Sequence, residues 1–344
     1  MTPVTIQGRE GTSTILVGEN FDRLAARIPL SQSVLITDPN LWRIYGERFP
    51  PCEVIRIGTG EANKTLATVA AIFERLVAME AQRSTFIVGI GGGIVCDIAG
   101  FVAATYLRGV ECALVPTSLL AQVDASVGGK NGVNFGGYKN MVGTFRQPAF
   151  VLCDPQMLRS LPERELTSGF AEIVKHAAIA DAALFAHLES RWQAAMALDP
   201  EVINHLVARC VAIKAAVVRR DEHEHGERRK LNFGHTFGHA LEKTTGALHG
   251  EAVAVGMLFA AALSVQRGLL PPAAYQRLQA LLAKLGLPTR MNFNREAVLE
   301  ALGKDKKRTG DGVHFVLLRD IGRSVVTEIT LPELGAALDL VLGR

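Results

Sequence analysis

Residues 228–243, RRKLNFGHTFGHALEK, set His235 and His239 four positions apart in a helical pattern. Four residues is just over one α-helical turn, so both imidazoles project from one face. The spacing allows both to bind one metal ion, or only one of them. His249, in LHGEAVAVGM, adds a third histidine close by, and Glu172, in SGFAEIVKHAAI, puts a carboxylate on an otherwise apolar helix. Glu172, His235 and His249 together offer one carboxylate and two neutral imidazoles, a set that suits Zn²⁺ and leaves positions open for substrate oxygens. Lys175 stands three residues after Glu172 on the same face. A buried pair there needs compensation from a metal or an anion, unless it is a plain surface salt bridge.

A second chemistry is written in glycines and lysines. The apolar run TFIVGI leads into GIGGGIVCD, residues 89–97, and then into an apolar helix. A glycine turn between strand and helix lets backbone amides and the helix N-terminus approach a phosphate. Gly89 and Gly91 fit the first two positions of the dinucleotide fingerprint, but Ile94 occupies the third. The alternative for this stretch is a tight turn and nothing more. Residues 123–143, VDASVGGKNGVNFGGYKNMVG, read as a long polar loop between apolar strands; it carries Asp124, Lys130, Lys139 and Asn140, groups able to hold phosphate and hydroxyl oxygens. Arg108, Lys214, Arg228 and Lys306 lie near the same segments. Singly each is a surface charge; brought together they imply a polyanionic substrate.

The elements that must position these groups change character midway. STILVG, SVLITD, STFIVGI and CALVPT alternate with helical patterns in the first half, which predicts a parallel sheet with crossover helices. From about Cys153 onward, apolar spacings of three and four predict helices. The expected organisation is a Rossmann-like α/β domain over residues 1–157 and a mostly helical domain over 158–344, punctuated by Pro155 and Pro162. A chain of 344 residues fits two domains of roughly 100–200 residues.

Composition removes other classes. A net charge of +3 with scattered basic residues argues against nucleic acid as a partner. Cys52, Cys96, Cys112, Cys153 and Cys210 form no CxxC pair and read as reduced thiols of a cytoplasmic protein. MTPVTIQGRE has no secretory pattern, and the apolar run 252–265 is too short to span a bilayer and reads as a buried helix.

FVAATYLRGV, VPTSLLAQVDASVGGKNGVN, KNMVG, LPERELTSGFAEIVKH, LNFGHTFGHALE and LHGEAVAVGM follow one another in order. Through them the chain resembles the 3-dehydroquinate synthase family over nearly its whole length. The resemblance implies an NAD⁺-binding α/β domain, a helical metal domain and a homodimer. It also implies a lyase reaction, the second step of the shikimate route: 3-deoxy-D-arabino-heptulosonate 7-phosphate becomes 3-dehydroquinate and phosphate. The implied sequence is transient oxidation by NAD⁺, phosphate elimination, re-reduction, ring opening and aldol closure. By matching positions, Glu172, His235 and His249 correspond to ligands of Zn²⁺, with Co²⁺ an alternative, and His239 to a substrate contact. Asp124, Lys130, Lys139, Asn140, Lys175, Lys214, Arg228, Asn232 and Lys306 fall on substrate positions, and Arg108 on one that reaches the neighbouring subunit. Asp38, Asn40, Glu61, Lys64, Gly91, Gly92, Gly93, Asp97, Thr117 and Ser118 fall on NAD⁺ positions, with Asp124, Lys130 and Lys139 adjoining both sets. Asn131 departs from the threonine common in the family at that place. The rival readings are another sugar phosphate cyclase, whose substrate lacks the carboxylate, and a metal-dependent glycerol or alcohol dehydrogenase.

Overall fold

Short runs of β-branched and apolar residues build the strands of the first half. β1 (Val4–Gly8) and β2 (Gly11–Val17) form a hairpin; β3 (Ser33–Thr37), α1 (Pro39–Tyr45), β4 (Glu53–Arg56), α2 (Leu66–Ala78), β5 (Phe86–Gly91), α3 (Gly93–Thr105) and β6 (Glu111–Pro116) then alternate. β7 (Lys130–Phe135), β8 (Tyr138–Phe145) and β9 (Phe150–Cys153) follow. Seven strands make one sheet in the order β1-β2-β9-β6-β5-β3-β4. All neighbours from β2 to β4 are parallel, and only β1 runs antiparallel. β3, SVLIT, is buried at every position, as expected for a strand covered on both faces. Leu35, Val88, Ile90, Val115 and Leu152 carry the core from strand to strand and meet Phe21, Leu24 and Met157. β3 has β4 on one side and β5 on the other, so the connections diverge there. In open α/β sheets such a switch point opens a ligand crevice at the carboxyl ends of the strands.

The structure is a computed structural model that describes residues 3–8, 11–303, 308–309 and 312–341. Two compact units emerge: residues to Pro162 with Ile203–Glu222, and Glu163–Val202 with His223 onward. The glycine-rich segment expected as a loop is instead a π-turn, Ala121–Ala125, followed by the hairpin of β7 and β8. Its turn is Gly136-Gly137, with φ of 59° and 78°, the left-handed pair that a two-residue hairpin turn requires.

The later chain forms α4 (Glu163–Ala180), α5 (Ala182–Met196), α6 (Pro200–Arg220), α7 (His235–Thr245), α8 (His249–Gln266), α9 (Pro272–Lys284) and α10 (Arg295–Gly303). From Ile203 on, α6 belongs to the first unit. β10 (Arg308–Thr309), β11 (Gly312–Asp320) and β12 (Arg323–Thr330) make an antiparallel sheet before α11 (Leu331–Val341). The helical expectation for this half misses that sheet. Its strands, GVHFVLLRD and RSVVTEIT, are rich in β-branched residues and turn at Gly322, φ 83°. Among the described residues α8 alone is long and apolar enough to cross a membrane, and 72% of that window is buried inside the fold. A helix apolar on all sides and covered on all sides is a core helix.

Candidate active site

Close helix packing in the second unit brings a carboxylate and three histidines together. α8 begins against α4 at Gly250, whose amide donates to Ser168 Oγ at 2.9 Å. A Cβ on Gly250 would fall on the Ser168 carbonyl oxygen, so only glycine allows this approach. His249 therefore arrives opposite Glu172, one turn beyond Ser168 on α4. A Cβ on Gly256 would likewise strike the Gly234 carbonyl, which keeps α7 close to α8 and brings His235 in from the third side.

Glu172 is fully buried, and its two oxygens face different partners. Oε2 pairs with Lys175 Nζ, itself buried. Oε1 lies 3.2 Å from His249 Nε2 and 3.5 Å from His235 Nε2. His235 Nδ1 is 3.2 Å from the Phe233 carbonyl, which can only accept, so an N–H is on Nδ1 and the neutral ring presents its lone pair on Nε2. His249 Nδ1 lies 3.4 Å from Glu242 Oε2. One ligand atom from each of Glu172, His235 and His249 lies within 4.8 Å of the others. Converging lone pairs repel unless a proton or a cation sits among them, so this donor set fits a divalent ion with room for further ligands. The His249 imidazole answers the same demand: burial pulls its pKa down, but hydrogen bonds and charge from Glu172 and Glu242 outweigh that and push it up to about 9.

His239 is exposed, with its ring 5.3 Å from that of His235 and 6.1 Å from that of His249. All three rings meet, but the His239 nitrogen groups with Glu242 and His249, outside the Glu172 set. Arg228 is buried on the turn Glu227–Asn232 that leads into α7. Asn232 donates its amide to Glu224 Oε1. Lys306 lies outside the described residues.

In the first unit the expected phosphate and nucleotide residues gather at the carboxyl ends of the strands. Asp38, just after β3, caps α1 through Oδ1, which accepts from the amides of Asn40 (2.8 Å) and Leu41 (3.1 Å). Gly91 ends β5, and a Cβ there would sit 2.5 Å from Val95 Cβ; Gly92 and Gly93 open α3, with no side chain capping its first turn. Thr117 and Ser118 follow β6, the Thr117 amide donating to Gly91 O at 2.9 Å.

Buried Lys64 donates to Asp97 and to Asn140 Oδ1 at 2.5 Å. Burial raises the Asp97 carboxyl, and the Lys64 ammonium opposes that shift. Lys139 Nζ lies 4.0 Å from Glu61, which also accepts from Asn134 at 2.7 Å. Lys214 donates to the Asp124 carboxylate and, at 2.7 Å, to its backbone carbonyl. Lys130 is exposed at the start of β7. Asn131 ties the base of that hairpin through Gly129 O (2.9 Å) and Arg146 O (3.0 Å), so the departure from threonine is accommodated by a built contact. Arg108 is exposed on a turn where both it (φ 68°) and Leu107 (φ 48°) are left-handed.

Two family models match adjoining stretches of the chain: 3-dehydroquinate synthase N-terminal over residues 54–168 and 3-dehydroquinate synthase C-terminal over residues 169–308. A 3-dehydroquinate synthase from Dehalococcoides mccartyi (strain CBDB1) is 42% identical over 351 aligned residues, covering 98% of both chains. The chain belongs to the 3-dehydroquinate synthase family.

Its fold is shared more widely. A 2-deoxy-scyllo-inosose synthase complexed with carbaglucose-6-phosphate, NAD⁺ and Co²⁺ is 28% identical, with a TM-score of 0.88 over 98% of this chain and 99% of that one. The 2-epi-5-epi-valiolone synthase of Streptomyces hygroscopicus subsp. jinggangensis 5008, with NAD⁺ and Zn²⁺ bound, gives 28% and 0.86 over 100% and 98%. Both are sugar phosphate cyclases, and both are more distant in sequence than the 3-dehydroquinate synthase relative.

Three polar residues of this 3-dehydroquinate synthase family member escaped the sequence reading: Glu224, Glu242 and Asn134. Glu224 holds Asn232 from a left-handed backbone, φ 63°. The acidic run DEHEHGE just before the basic turn was the available signal. Asn134 accepts from the Asn140 amide at 2.9 Å, and its own amide N–H donates to Lys64 O at 2.8 Å, which stitches the hairpin to the Glu61–Lys64 turn. Pairing of that kind has no local signature.

Proposed function

We propose that this chain is a 3-dehydroquinate synthase, converting 3-deoxy-D-arabino-heptulosonate 7-phosphate to 3-dehydroquinate and phosphate in the cytoplasm as a homodimer. The observation that carries this reading is the buried Glu172 carboxylate facing the Nε2 atoms of His249 and His235 at 3.2 and 3.5 Å, in a member of that family. Glu172, His235 and His249 would hold zinc, with cobalt an alternative. Bound NAD⁺ and the metal ion supply reversible oxidation of one substrate hydroxyl, which acidifies the neighbouring proton and lets phosphate leave.

The protein groups divide the remaining work. Gly91, Gly92 and Gly93 bring the amides of the α3 N-terminus to the nucleotide pyrophosphate, where the helix dipole favours negative charge. Asp38, Asn40, Glu61, Lys64, Asp97, Thr117 and Ser118 orient the rest of the nucleotide, with Asp124, Lys130 and Lys139 adjoining it. Lys130, Lys139, Asn140, Lys175, Lys214, Arg228, Asn232 and Lys306 supply cations and amides for a substrate carrying both carboxylate and phosphate. Asp124 is held by Lys214 through two contacts, which fixes its carboxylate for a substrate hydroxyl. His239, exposed and one turn beyond His235, moves or holds a proton at the substrate. Arg108 serves the neighbouring subunit. Ring opening and aldol closure need positioning more than strong acid or base.

A second reading, a cyclase for a sugar phosphate that lacks the carboxylate, draws on the shared fold. One assay separates them: heptulosonate phosphate with catalytic NAD⁺, following phosphate and NADH together. Phosphate release that requires NAD⁺, yields no net NADH and stops with a chelator supports the proposal. Stoichiometric NADH overturns it in favour of a dehydrogenase, and turnover only of a phosphate lacking the carboxylate favours the second reading.

A further inference from the structure

We propose that Glu242 is a positioning residue of the metal centre, orienting His249 from behind and linking it to His239. The inference rests on Glu172, His235 and His249 being the metal site and goes beyond it.

The two imidazoles of that set are backed differently. His235 donates Nδ1–H to a neutral carbonyl, Phe233 O, at 3.2 Å. His249 instead faces a carboxylate, Glu242 Oε2, at 3.4 Å from Nδ1. Once it gives up its second proton in favour of a metal ion the imidazole carries one N–H, so committing that to Glu242 leaves the lone pair on Nε2, on the side that faces Glu172. At 3.4 Å the bond is long for N–H···O. A cation drawing on Nε2 would make Nδ1–H a stronger donor and shorten it. An anionic acceptor raises ligand basicity more than a carbonyl does, and carboxylate–histidine–metal arrangements depend on it.

Placement supports the same role. The Glu242 side chain is 12% exposed, and that of His249 30%, so the contact is largely shielded from water. Glu242 follows His239 by one turn of α7, and one atom from each of His239, Glu242 and His249 lies within 4.8 Å of the others. One carboxylate thus stands behind a metal-facing and a substrate-facing histidine. The competing reading is that His239, Glu242 and His249 bind a second metal ion themselves.

The test is zinc binding by the metal-stripped, full-length protein in competition with a chromophoric chelator, with Co²⁺ absorption spectra alongside. Wild type should bind one tight equivalent. Glu242→Gln should still bind one, but about 10–100-fold more weakly, with a shifted Co²⁺ spectrum and metal-free thermal unfolding unchanged. Glu242→Asp, which keeps the charge on a shorter arm, should fall between them, and it carries the test if the glutamine variant does not fold. Lys243→Gln, on the exposed side of the same turn, should match wild type. Equal zinc affinity and spectra in wild type and Glu242→Gln overturn the assignment. So does uptake of two equivalents by wild type and one by Glu242→Gln, which would make Glu242 a ligand. A wild type that binds no zinc overturns the metal-site reading itself, a distinguishable failure.

Discussion

In the second unit, Glu172, His235 and His249 come from three helices, and the carboxylate among them is completely covered. In the first unit, Glu61, Lys130, Lys139 and Asn140 stand exposed on turns and a hairpin beyond the strand ends, tied by backbone and amide contacts. On the proposed reading, the difference follows from what each would hold. A metal centre works only if its ligand atoms are preset to within about half an ångström, which interlocked helices and glycine contacts provide. A dinucleotide is long and flexible and can be cradled by amides at several strand ends, so each contact there carries less.

If that contrast is right, damage to the helix-built cluster should be severe and damage to the strand-end set graded. The largest effect is expected from His235→Ala: metal retention should disappear, a loss exceeding the ~100-fold typical of an outer-shell partner. His239→Ala should keep the metal and lose about 10²–10⁴-fold in turnover. Metal analysis of both purified proteins checks the division, and equal metal loss would refute it.

Gly256→Ala forces a methyl group against the Gly234 carbonyl. Denaturant unfolding of the metal-free protein should show a loss of about 1–3 kcal/mol, with weakened zinc affinity because His235 and His249 move apart. Normal zinc affinity in that variant would show that close α7–α8 contact is not what aligns the ligands.

The His249 shift gives a pH test. Its folded pKa, about 9, is above the ordinary 6.5. Stability from its protonated form is therefore present in the metal-free protein below about pH 6.5 and lost as pH rises through about 9. Melting temperatures of metal-stripped protein should fall across that window, and zinc uptake at neutral pH should release a proton. A flat profile, or one unchanged by His249→Ala, would contradict it.

The smallest effect is expected in the first unit. Asn134→Ala removes the amide between the hairpin and Glu61, and should weaken NAD⁺ binding by several-fold, about 1 kcal/mol, with zinc affinity untouched. Calorimetry of both ligands would decide it; a large loss would erase the contrast between the regions.

Legibility divides along similar lines. Strand runs such as SVLIT and CALVP announced the parallel sheet because they alternate with helical patterns, the rhythm that crossover connections require. The ligand types of the metal set were visible because a carboxylate on an apolar helix and two nearby histidines are anomalous for a core. The β7–β8 hairpin was hidden because its glycines and lysines also suit a loop, and β10–β12 because their sheet pairs across a turn rather than within a helical window. Glu242 was overlooked since a glutamate on an amphipathic helix is ordinary until a neighbouring helix puts His249 against it.

By itself the sequence determined the alternation of strands and helices, the donor types available for metal and phosphate, and the family. These depend on local propensity and side-chain chemistry, which each residue carries wherever it folds. The division between His235 and His239 was implied by the family resemblance, while tertiary structure alone decided that Ile203–Glu222 returns to the first unit and that Glu242 stands behind His249. Those outcomes depend on how closely whole helices approach, and the approach is set by contacts such as Gly250 on Ser168 and Gly256 on Gly234, made between residues distant along the chain.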